Sequence, residues 1–179
     1  GERYAKRISG IHGWYSAFDG TNIINATTFS DGTTIEKSTS YYFKVEPVKW
    51  RILSTKYGKA MIFSEDIISS QIWDIESTST NYKDSPIRDW LINTLLNALF
   101  DADDQTIIQT TEVDNSTASG CNADAACENT FDKVFLLSLT ETMNSQYGFS
   151  NTNNNDIVRQ KNVSDYVRAA NFYVGYWWT

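Results

Sequence analysis

The stretch that decides the fold is YYFKVEPVKWRIL, residues 41–53, in which apolar and charged side chains alternate. A period of two is typical of a β-strand with one buried face. The apolar positions are Phe43 and Val45 before the proline and Val48, Trp50 and Ile52 after it. The alternation therefore changes phase at Pro47, a residue that has no backbone N–H to donate. We predict two strand segments joined by a kink at Glu46-Pro47, with Trp50 as the largest core anchor.

On the C-terminal side of this stretch, residues 54–58 predict a hairpin turn, and residues 59–64 predict the returning strand. The clearest helix follows at Pro86 and ends near Phe100, with Asp84 or Ser85 as its N-cap. Its apolar residues recur at helical spacing and are Ile87, Trp90, Leu91, Leu95 and Leu99.

Shorter elements complete the prediction. Helical turns are expected at residues 66–70, from Asp101, from Ser138 or Thr140 to Met143, and after the cap Ser164. Residues 131–138 predict a second core strand, and residues 174–179 a last one. Hairpins mixed with helices, without regular strand–helix alternation, predict an α+β fold. We expect residues 1–179 to form a single compact domain, with a mainly antiparallel sheet and a few packed helices.

Charge and hydropathy exclude two classes of partner. The chain carries 15 basic and 22 acidic residues, for a net charge of −7. Nucleic-acid binding depends on clustered Lys and Arg, so we expect no nucleic-acid partner. No apolar run approaches the roughly 20 residues that a membrane span needs, so we expect no membrane span.

The only two cysteines, Cys121 and Cys127, lie close together in a polar segment. A zinc site needs four nitrogen or sulfur ligands, and the chain has a single histidine, His12. We therefore predict a disulfide that closes a short loop, which implies an oxidising, extracellular setting.

The same segment is rich in the oxygen ligands that calcium prefers. The candidate calcium ligands are Asp114, Asn115, Asp124 and Glu128, with Asn122 and Asn129 nearby. No EF-hand pattern organises them, so a solvated loop without metal is the alternative. Apart from calcium, we expect no cofactor.

Catalytic patterns are weak. His12 lies between Gly10 and Gly13, and no serine elbow exists for it to serve. The acidic groups Glu65-Asp66 and Asp101 to Asp104 follow a strand or open a helix, where solvation and capping explain them. We predict no catalytic residue and no enzymatic activity.

Aromatic residues close to the C-terminus are the candidate binding residues. The candidate set is Asn171, Tyr173, Tyr176 and Trp177. Aromatic rings offer a stacking platform for a sugar or a protein partner. Because Tyr173 and Trp177 share one strand face and Tyr176 lies on the other, only part of the set can face a ligand.

Several segments together resemble a known family. They are residues 41–53, 81–82, 87–91, 127–138, 164–166 and 177–178. In this combination they resemble the bacterial domain of unknown function 6273, which occurs in secreted and surface proteins, and the likeness runs from about residue 30 to the end. The resemblance implies an extracellular or surface-anchored location and a C-type-lectin-like fold, and it supplies no catalytic residues. Family members continue beyond the Trp-Trp pair with Arg-Ser and further strands, so we expect the sheet formed by residues 1–179 to lack its closing strand and to have an exposed edge.

Our leading hypothesis is a non-catalytic binding module outside a bacterial cell, which recognises a glycan or a protein through its long loops. One alternative is a carbohydrate-active enzyme that uses a pair of carboxylates. The other is a structural spacer within a larger surface protein.

Overall fold

The structure of the chain, a computed structural model, describes residues 4–8, 16–18, 23–25, 28–36, 38–69, 71, 73, 81–151, 158–159 and 161–170. In chain order the strands are β1 (Tyr4–Ile8), β2 (Ser16–Phe18), β3 (Ile23–Asn25), β4 (Ser40–Lys44), β5 (Trp50–Lys56), β6 (Lys59–Ser64), β7 (Asp66–Ile67), β8 (Thr111–Val113), β9 (Thr130–Asp132) and β10 (Asn162–Val163). The α-helices are α1 (Pro86–Trp90), α2 (Leu96–Leu99), α3 (Ala102–Ile107), α4 (Leu139–Thr142) and α5 (Asp165–Ala170), and a π-helical segment, Leu91–Leu95, joins α1 to α2.

Strand pairing is mainly antiparallel. In the described residues β1 pairs with β4, β2 with β3, β5 with β6, and β8 with β9, all antiparallel, whereas β7 pairs with β10 in parallel. Strands and helices are grouped along the chain rather than alternating, which is typical of α+β proteins. The predicted α+β class with mainly antiparallel sheets is confirmed.

The chain divides into two compact units. The first unit comprises residues 1–70 and 145–178, and the second comprises residues 71–144 with Thr179. The first therefore holds β1 to β7, β10 and α5, and the second holds α1 to α4, β8 and β9. A single domain over residues 1–179 stays a prediction.

Pro47 interrupts the strand that the sequence predicts around it, because residues 45–49 form no strand between β4 and β5. The interruption is larger than a kink in one ribbon, since β4 pairs with β1 while β5 pairs with β6. Phe43 of β4 packs edge-on against Phe29 and against Tyr166 of α5, with ring centroids 5.9 and 5.8 Å apart. These rings form an aromatic cluster in the first unit.

In β5 the predicted orientation is wrong. Leu53 is 5% exposed and Arg51 is half-buried, whereas Trp50 and Ile52 are 38% and 61% exposed. Arg51 donates from Nε and Nη2 to the two carboxylate oxygens of Glu65, at 2.7 and 3.1 Å, and this ion pair holds it on the covered face. Because successive side chains of a strand point to opposite faces, Trp50 and Ile52 face outward. Trp50 is therefore not a core anchor.

The predicted hairpin of β5 and β6 is confirmed. Its two-residue turn is Tyr57-Gly58, with φ angles of 52° and 71°. Positive φ at both positions is typical of the type I′ turn, whose twist matches that of the flanking strands. The register shifts between Ile52 and Ser54, so Leu53 forms a β-bulge.

Glu65, just after β6, is the centre of an ion cluster in the first unit. Besides Arg51, it accepts a hydrogen bond from Lys161 Nζ at 2.9 Å, and the Lys161 side chain is only 4% exposed. Lys161 Nζ also lies 5.1 Å from the centroid of the Phe63 ring. The hydrogen bonds from Arg51, and then those from Lys161, lower the pKa of Glu65 from 4.5 to about 2. The carboxylate therefore stays charged and compensates a buried ammonium.

Glu65→Gln tests this cluster. Because the folded pKa of Glu65 is depressed, its contribution to stability is present above its unfolded pKa and is lost as pH falls from about 4.5 to about 2. We expect the variant to unfold at lower urea concentration than the wild type at pH 7, and the difference to shrink across that pH window. Glu46→Gln, at an exposed glutamate, is the control and should show no such trend. A difference independent of pH would contradict the assignment.

In the first unit, α5 begins as predicted at Ser164, whose Oγ accepts from the Val167 amide at 3.3 Å. Asp165 accepts hydrogen bonds from Ser30 N and Oγ, at 2.8 and 2.6 Å. These bonds tie the start of α5 to residues 29–33, where the sequence Asp31-Gly32 predicts a tight turn and the Gly32 amide donates to the Phe29 carbonyl at 3.0 Å. Asp19-Gly20 predicts another such turn, at residues 18–21, which lies largely outside the described residues.

In the second unit the predicted long helix is confirmed. Ser85 caps α1, because its Oγ accepts from the Arg88 amide at 3.3 Å, and Pro86 occupies the first turn. The helix continues through the π-helical segment into α2 and ends at Phe100, whose backbone is extended. Its buried residues are Ile87, Leu91 and Leu96. Asp101 then caps α3, accepting from the Asp104 amide at 2.9 Å.

Two predicted elements are wrong and one predicted cap is confirmed. Residues 66–67 form β7 instead of starting a helical turn. The strand predicted over residues 131–138 is limited to β9, in which Phe131 is 64% exposed. Ser138 caps α4 in a capping box, with reciprocal hydrogen bonds to Glu141. The strand predicted at residues 174–179 lies outside the described residues.

Arg88 and Asp132 connect α1 to β9 in the second unit. The Asp132 side chain is 1% exposed, and it accepts from Arg88 Nη2 at 2.7 Å and from Nε at 3.0 and 3.1 Å. Arg88 Nη1 donates to the Lys83 carbonyl at 3.1 Å. The bond to Asp132 raises the pKa of Arg88 above its usual value. This buried, bidentate pair makes Asp132 face inward and so turns Phe131 outward.

The hydroxyl of Tyr82 is buried beside this pair and has no hydrogen-bond partner among the residues that the structure describes. Burial, and then the negative charge of Asp132, raise the pKa of Tyr82 well above its usual value. A contact with the Leu136 backbone lowers the pKa of Tyr82 and so offsets part of this increase. The contact does not have the geometry of an ordinary hydrogen bond. Tyr82 therefore stays a neutral phenol and packs against Trp73, with ring centroids 6.3 Å apart.

Asp132→Asn measures the contribution of the buried pair. We expect it to lower the free energy of unfolding by about 3–5 kcal/mol, because the Arg88 guanidinium loses its charged partner. Urea denaturation followed by circular dichroism provides the measurement. Asp103→Asn, at an exposed carboxylate of the same unit, should cost less than about 1 kcal/mol. Equal losses in the two variants would show that the pair does not stabilise the fold.

Candidate functional site

Of the predicted calcium ligands, Asn115 is committed to internal structure. It is 7% exposed, and its Nδ2 donates to the Glu128 carbonyl at 3.1 Å and to Thr130 Oγ1 at 3.2 Å. Its own amide donates to Asn129 Oδ1 at 3.2 Å. Asn115 therefore closes the base of the loop between β8 and β9.

The three acidic candidates are not brought together. Asp114 Oδ1 accepts from the Ser116 amide at 2.9 Å, and hydrogen bonding to the Ser116 side chain, and then to this amide, lowers the pKa of Asp114. Glu128 pairs with Lys83 at 2.7 Å, and this bond lowers the pKa of Glu128. Asp124 is exposed in a turn at residues 123–125. Among the residues that the structure describes, no group of three His, Cys, Asp or Glu side chains could hold a metal ion. Calcium binding therefore stays a prediction, and the described residues form no cage for the ion.

The predicted disulfide is not formed, since both Cys121 and Cys127 are free thiols. Cys121 Sγ instead donates to the carbonyls of Ser116, at 3.1 Å, and of Asn115, at 3.5 Å. The backbone amide of Cys127 donates to the same Asn115 carbonyl at 3.0 Å. Hydrogen bonds thus organise the loop that a disulfide was expected to close, and the cysteines no longer indicate an oxidising setting.

The number of free thiols tests this correction. We expect titration with a thiol reagent in denaturant to find two thiols per chain, both with and without prior reduction, because neither sulfur is bonded to the other. Protein purified without reductant is the sample to compare. No reactive thiol before reduction and two after it would restore the disulfide.

Two of the carboxylates considered for catalysis have structural partners. Glu65 is bound by Arg51 and Lys161, and Asp101 caps α3. A glycosidase needs one carboxyl group that keeps its proton near neutral pH, whereas the pKa of Glu65 is lowered. The predicted binding residues Asn171, Tyr173, Tyr176 and Trp177 lie outside the described residues.

One exposed apolar surface among the described residues of the first unit is a surface that the sequence pattern assigned to the core. The outward side chains of the β5–β6 hairpin form what we call the hairpin face: Trp50, Ile52, Thr55, Ala60 and Ile62. Ile52 and Ile62 are direct cross-strand partners and are 61% and 46% exposed. Tyr57 at the hairpin tip is 89% exposed. The sequence contains a signal for this orientation. Arg51 and Glu65 carry opposite charges, and a turn at Tyr57-Gly58 brings these two residues together.

None of the residues of the hairpin face is charged. Three exposed lysines lie elsewhere on the hairpin: Lys49 precedes β5, and the cross-strand partners Lys56 and Lys59 flank the turn. Because successive side chains alternate, Lys56 and Lys59 point away from the face that carries Thr55 and Ala60. Lys56 Nζ lies 5.1 Å from the centroid of the Tyr57 ring.

Charge is distributed unevenly between the two units. Residues 71–144 carry 13 acidic and 3 basic side chains, while the rest of the chain carries 9 acidic and 12 basic ones. The net charge of −7 thus comes from the second unit, and the hairpin lies in the basic first unit. None of the helices in the described part of the chain is long and apolar enough to cross a membrane.

The comparisons with known proteins identify the family. Residues 57–179 match the family described as Domain of unknown function (DUF6273), so the match covers more than half of the chain and begins at the hairpin turn. The chain belongs to this family. The match is shorter than the expected one from about residue 30. No curated protein and no solved structure matches the chain.

Proposed function

We propose that the chain is a non-catalytic binding module, displayed outside a bacterial cell, that recognises a protein through the hairpin face. The observation that carries the proposal is the exposed cross-strand pair Ile52–Ile62, with Trp50 and the tip residue Tyr57 nearby. Large contiguous apolar patches are rare on the surface of monomeric soluble proteins. An apolar, uncharged face is instead typical of a surface that another molecule covers.

A protein fits this face better than a glycan does. Sugars stack on aromatic rings, whereas the centre of the hairpin face consists of two aliphatic side chains. Isoleucine side chains gain free energy by burial against other apolar groups, at about 25 cal/mol per Å² of area removed from water.

The loop between β8 and β9 is a weaker candidate for the binding site than the hairpin is. Its polar side chains satisfy one another, as the bonds of Asn115 to the Glu128 carbonyl and Thr130 show. Glu65 and Asp132, the acidic groups with the strongest partners, are bound by Arg and Lys side chains, which favours a structural role over a catalytic one. The proposal also includes a bacterial, extracellular location and a C-type-lectin-like fold. Both are supported by the family resemblance.

A capture experiment tests the proposed function. The purified chain, immobilised on a sensor, is exposed to surface-protein extracts and to a glycan array. We expect specific protein capture that falls at least about tenfold in Ile52→Lys, because the charge is placed in the apolar centre. Ile107→Lys, at a residue of the second unit that is 73% exposed, is the matched control and should bind normally. Glycan binding that survives Ile52→Lys, without any protein capture, would refute the proposal.

A further inference from the structure

The sheet of β1 and β4 in the first unit has one covered side and one exposed side. On the covered side the aromatic cluster is extended by Tyr41, whose ring lies 4.9 Å from that of Phe29. The Arg7 guanidinium lies on the same side, 4.9 Å from the centroid of the Tyr166 ring. Because successive side chains of a strand alternate, the remaining side chains of both strands point away from this cluster.

The exposed side of this sheet combines two tyrosines with two lysines. In the antiparallel register Tyr4 lies directly opposite Lys44. Lys6 lies directly opposite Tyr42, so all four side chains share one side of the sheet. Tyr4 and Tyr42 are 57% and 64% exposed, and both lysines are exposed as well. We call these four residues the tyrosine–lysine face.

The tyrosine–lysine face is positively charged. Neither β1 nor β4 contains an acidic residue. Lys6 Nζ lies 6.0 Å from the centroid of the Tyr42 ring, so ammonium and ring are neighbours on the surface. The sheet also belongs to the first unit, in which basic residues outnumber acidic ones. A ligand that complements this face therefore carries negative charge.

We infer that the tyrosine–lysine face binds an acidic polysaccharide, a chain of sugar rings that carry carboxylates. The apolar faces of sugar rings stack on aromatic side chains, and this surface presents two tyrosine rings. A carboxylate attached to a stacked sugar would pair with a lysine, and each tyrosine has a lysine directly opposite. The inference goes beyond the proposed function, because it uses a different surface and another class of ligand.

The face fits two other kinds of polymer less well. The centre of a protein interface is depleted of charged residues, and lysine is under-represented there. Here each ring lies opposite a lysine, which leaves no uncharged centre. Proteins that bind nucleic acid commonly neutralise several phosphates, about 6–10. This face offers two lysines for that purpose.

Calorimetric titration of the purified full chain with oligogalacturonate, a short polyuronate, tests the inference. We expect saturable binding that weakens as salt is added, because screening reduces the attraction between carboxylates and lysines. The methyl-esterified form of the same oligomer keeps the sugar rings but loses the charges. It should bind at least about tenfold more weakly.

Variants of the tyrosine–lysine face show where the oligomer binds. We expect Lys6→Glu to weaken binding at least about tenfold, because repulsion replaces attraction. Tyr42→Ala should weaken it about fivefold, because the ring is lost, whereas Tyr42→Phe keeps the ring and should bind like the wild type. Lys59→Glu, at an exposed lysine of the β5–β6 hairpin, is the charge control and should also bind normally. Thermal melts check that each variant is folded.

Three results would overturn the inference. The first is a wild type that does not bind oligogalacturonate, and the second is equal weakening in Lys6→Glu and Lys59→Glu. The third is binding of polyglutamate or of a single-stranded oligonucleotide with the same affinity, since the face would then attract anions by charge alone.

The inference and the proposed function can fail separately. Ile52→Lys should leave oligogalacturonate binding unchanged, and Lys6→Glu should leave protein capture by the hairpin face unchanged. If Ile52→Lys abolishes oligogalacturonate binding, the sugar binds at the hairpin and the inference is wrong. If protein capture is absent but the variants of the tyrosine–lysine face behave as expected, only the proposed function is wrong.

Discussion

The structure of the second unit depends on the ion pair between Arg88 and Asp132. Among the described residues in the buried class, Asp132 is the one that carries a charge, and the two-pronged guanidinium of Arg88 satisfies it. Removing a carboxylate from water costs several kcal/mol, roughly, and is tolerated only when hydrogen bonds replace the lost hydration. The pair therefore requires one mutual arrangement of α1 and β9. By fixing Asp132 inward, it also places Phe131 on the surface.

A comparable constraint acts in the first unit. Glu65 accepts hydrogen bonds from Arg51 of β5 and from Lys161, the residue just before β10. It thereby connects positions 65 and 161, which are 96 residues apart in sequence. Because Arg51 is held on the covered face of the hairpin, Ile52 is directed outward. In both units an ion pair thus decides the orientation of the adjacent strand residue, and the exposed side chains of Ile52 and Phe131 are its consequence.

This origin explains why the predicted orientation of β5 was wrong. The alternation of residues 41–53 identified strands and the break at Pro47, but alternation alone assigns the apolar side chains to the core. That rule holds where hydrophobic burial dominates. Here the two bonds from Arg51 to Glu65 and the bulge at Leu53 reverse it, and Trp50 and Ile52 become surface residues.

The cysteine-containing loop shows the same limit. Its composition correctly indicated a long polar excursion, yet the structure has free thiols, with Cys121 hydrogen-bonded to backbone carbonyls and Asn115 bridging the loop ends. Carboxylates close in sequence, such as Asp114, Asp124 and Glu128, did not converge into a metal cage within the described residues. Convergence depends on where distant backbone segments meet, which spacing along the chain does not specify.

What the sequence by itself determined are the features that act within one turn: the caps Ser85, Asp101, Ser138 and Ser164, the helix that starts at Pro86, and the Tyr57-Gly58 hairpin. These depend on backbone conformation and hydrogen bonds between near neighbours. Only the tertiary structure decided which face of each strand is buried and which thiols and carboxylates meet. The reason is that these outcomes depend on ion pairs between remote positions, whose free energy exists only once the chain has brought the partners together.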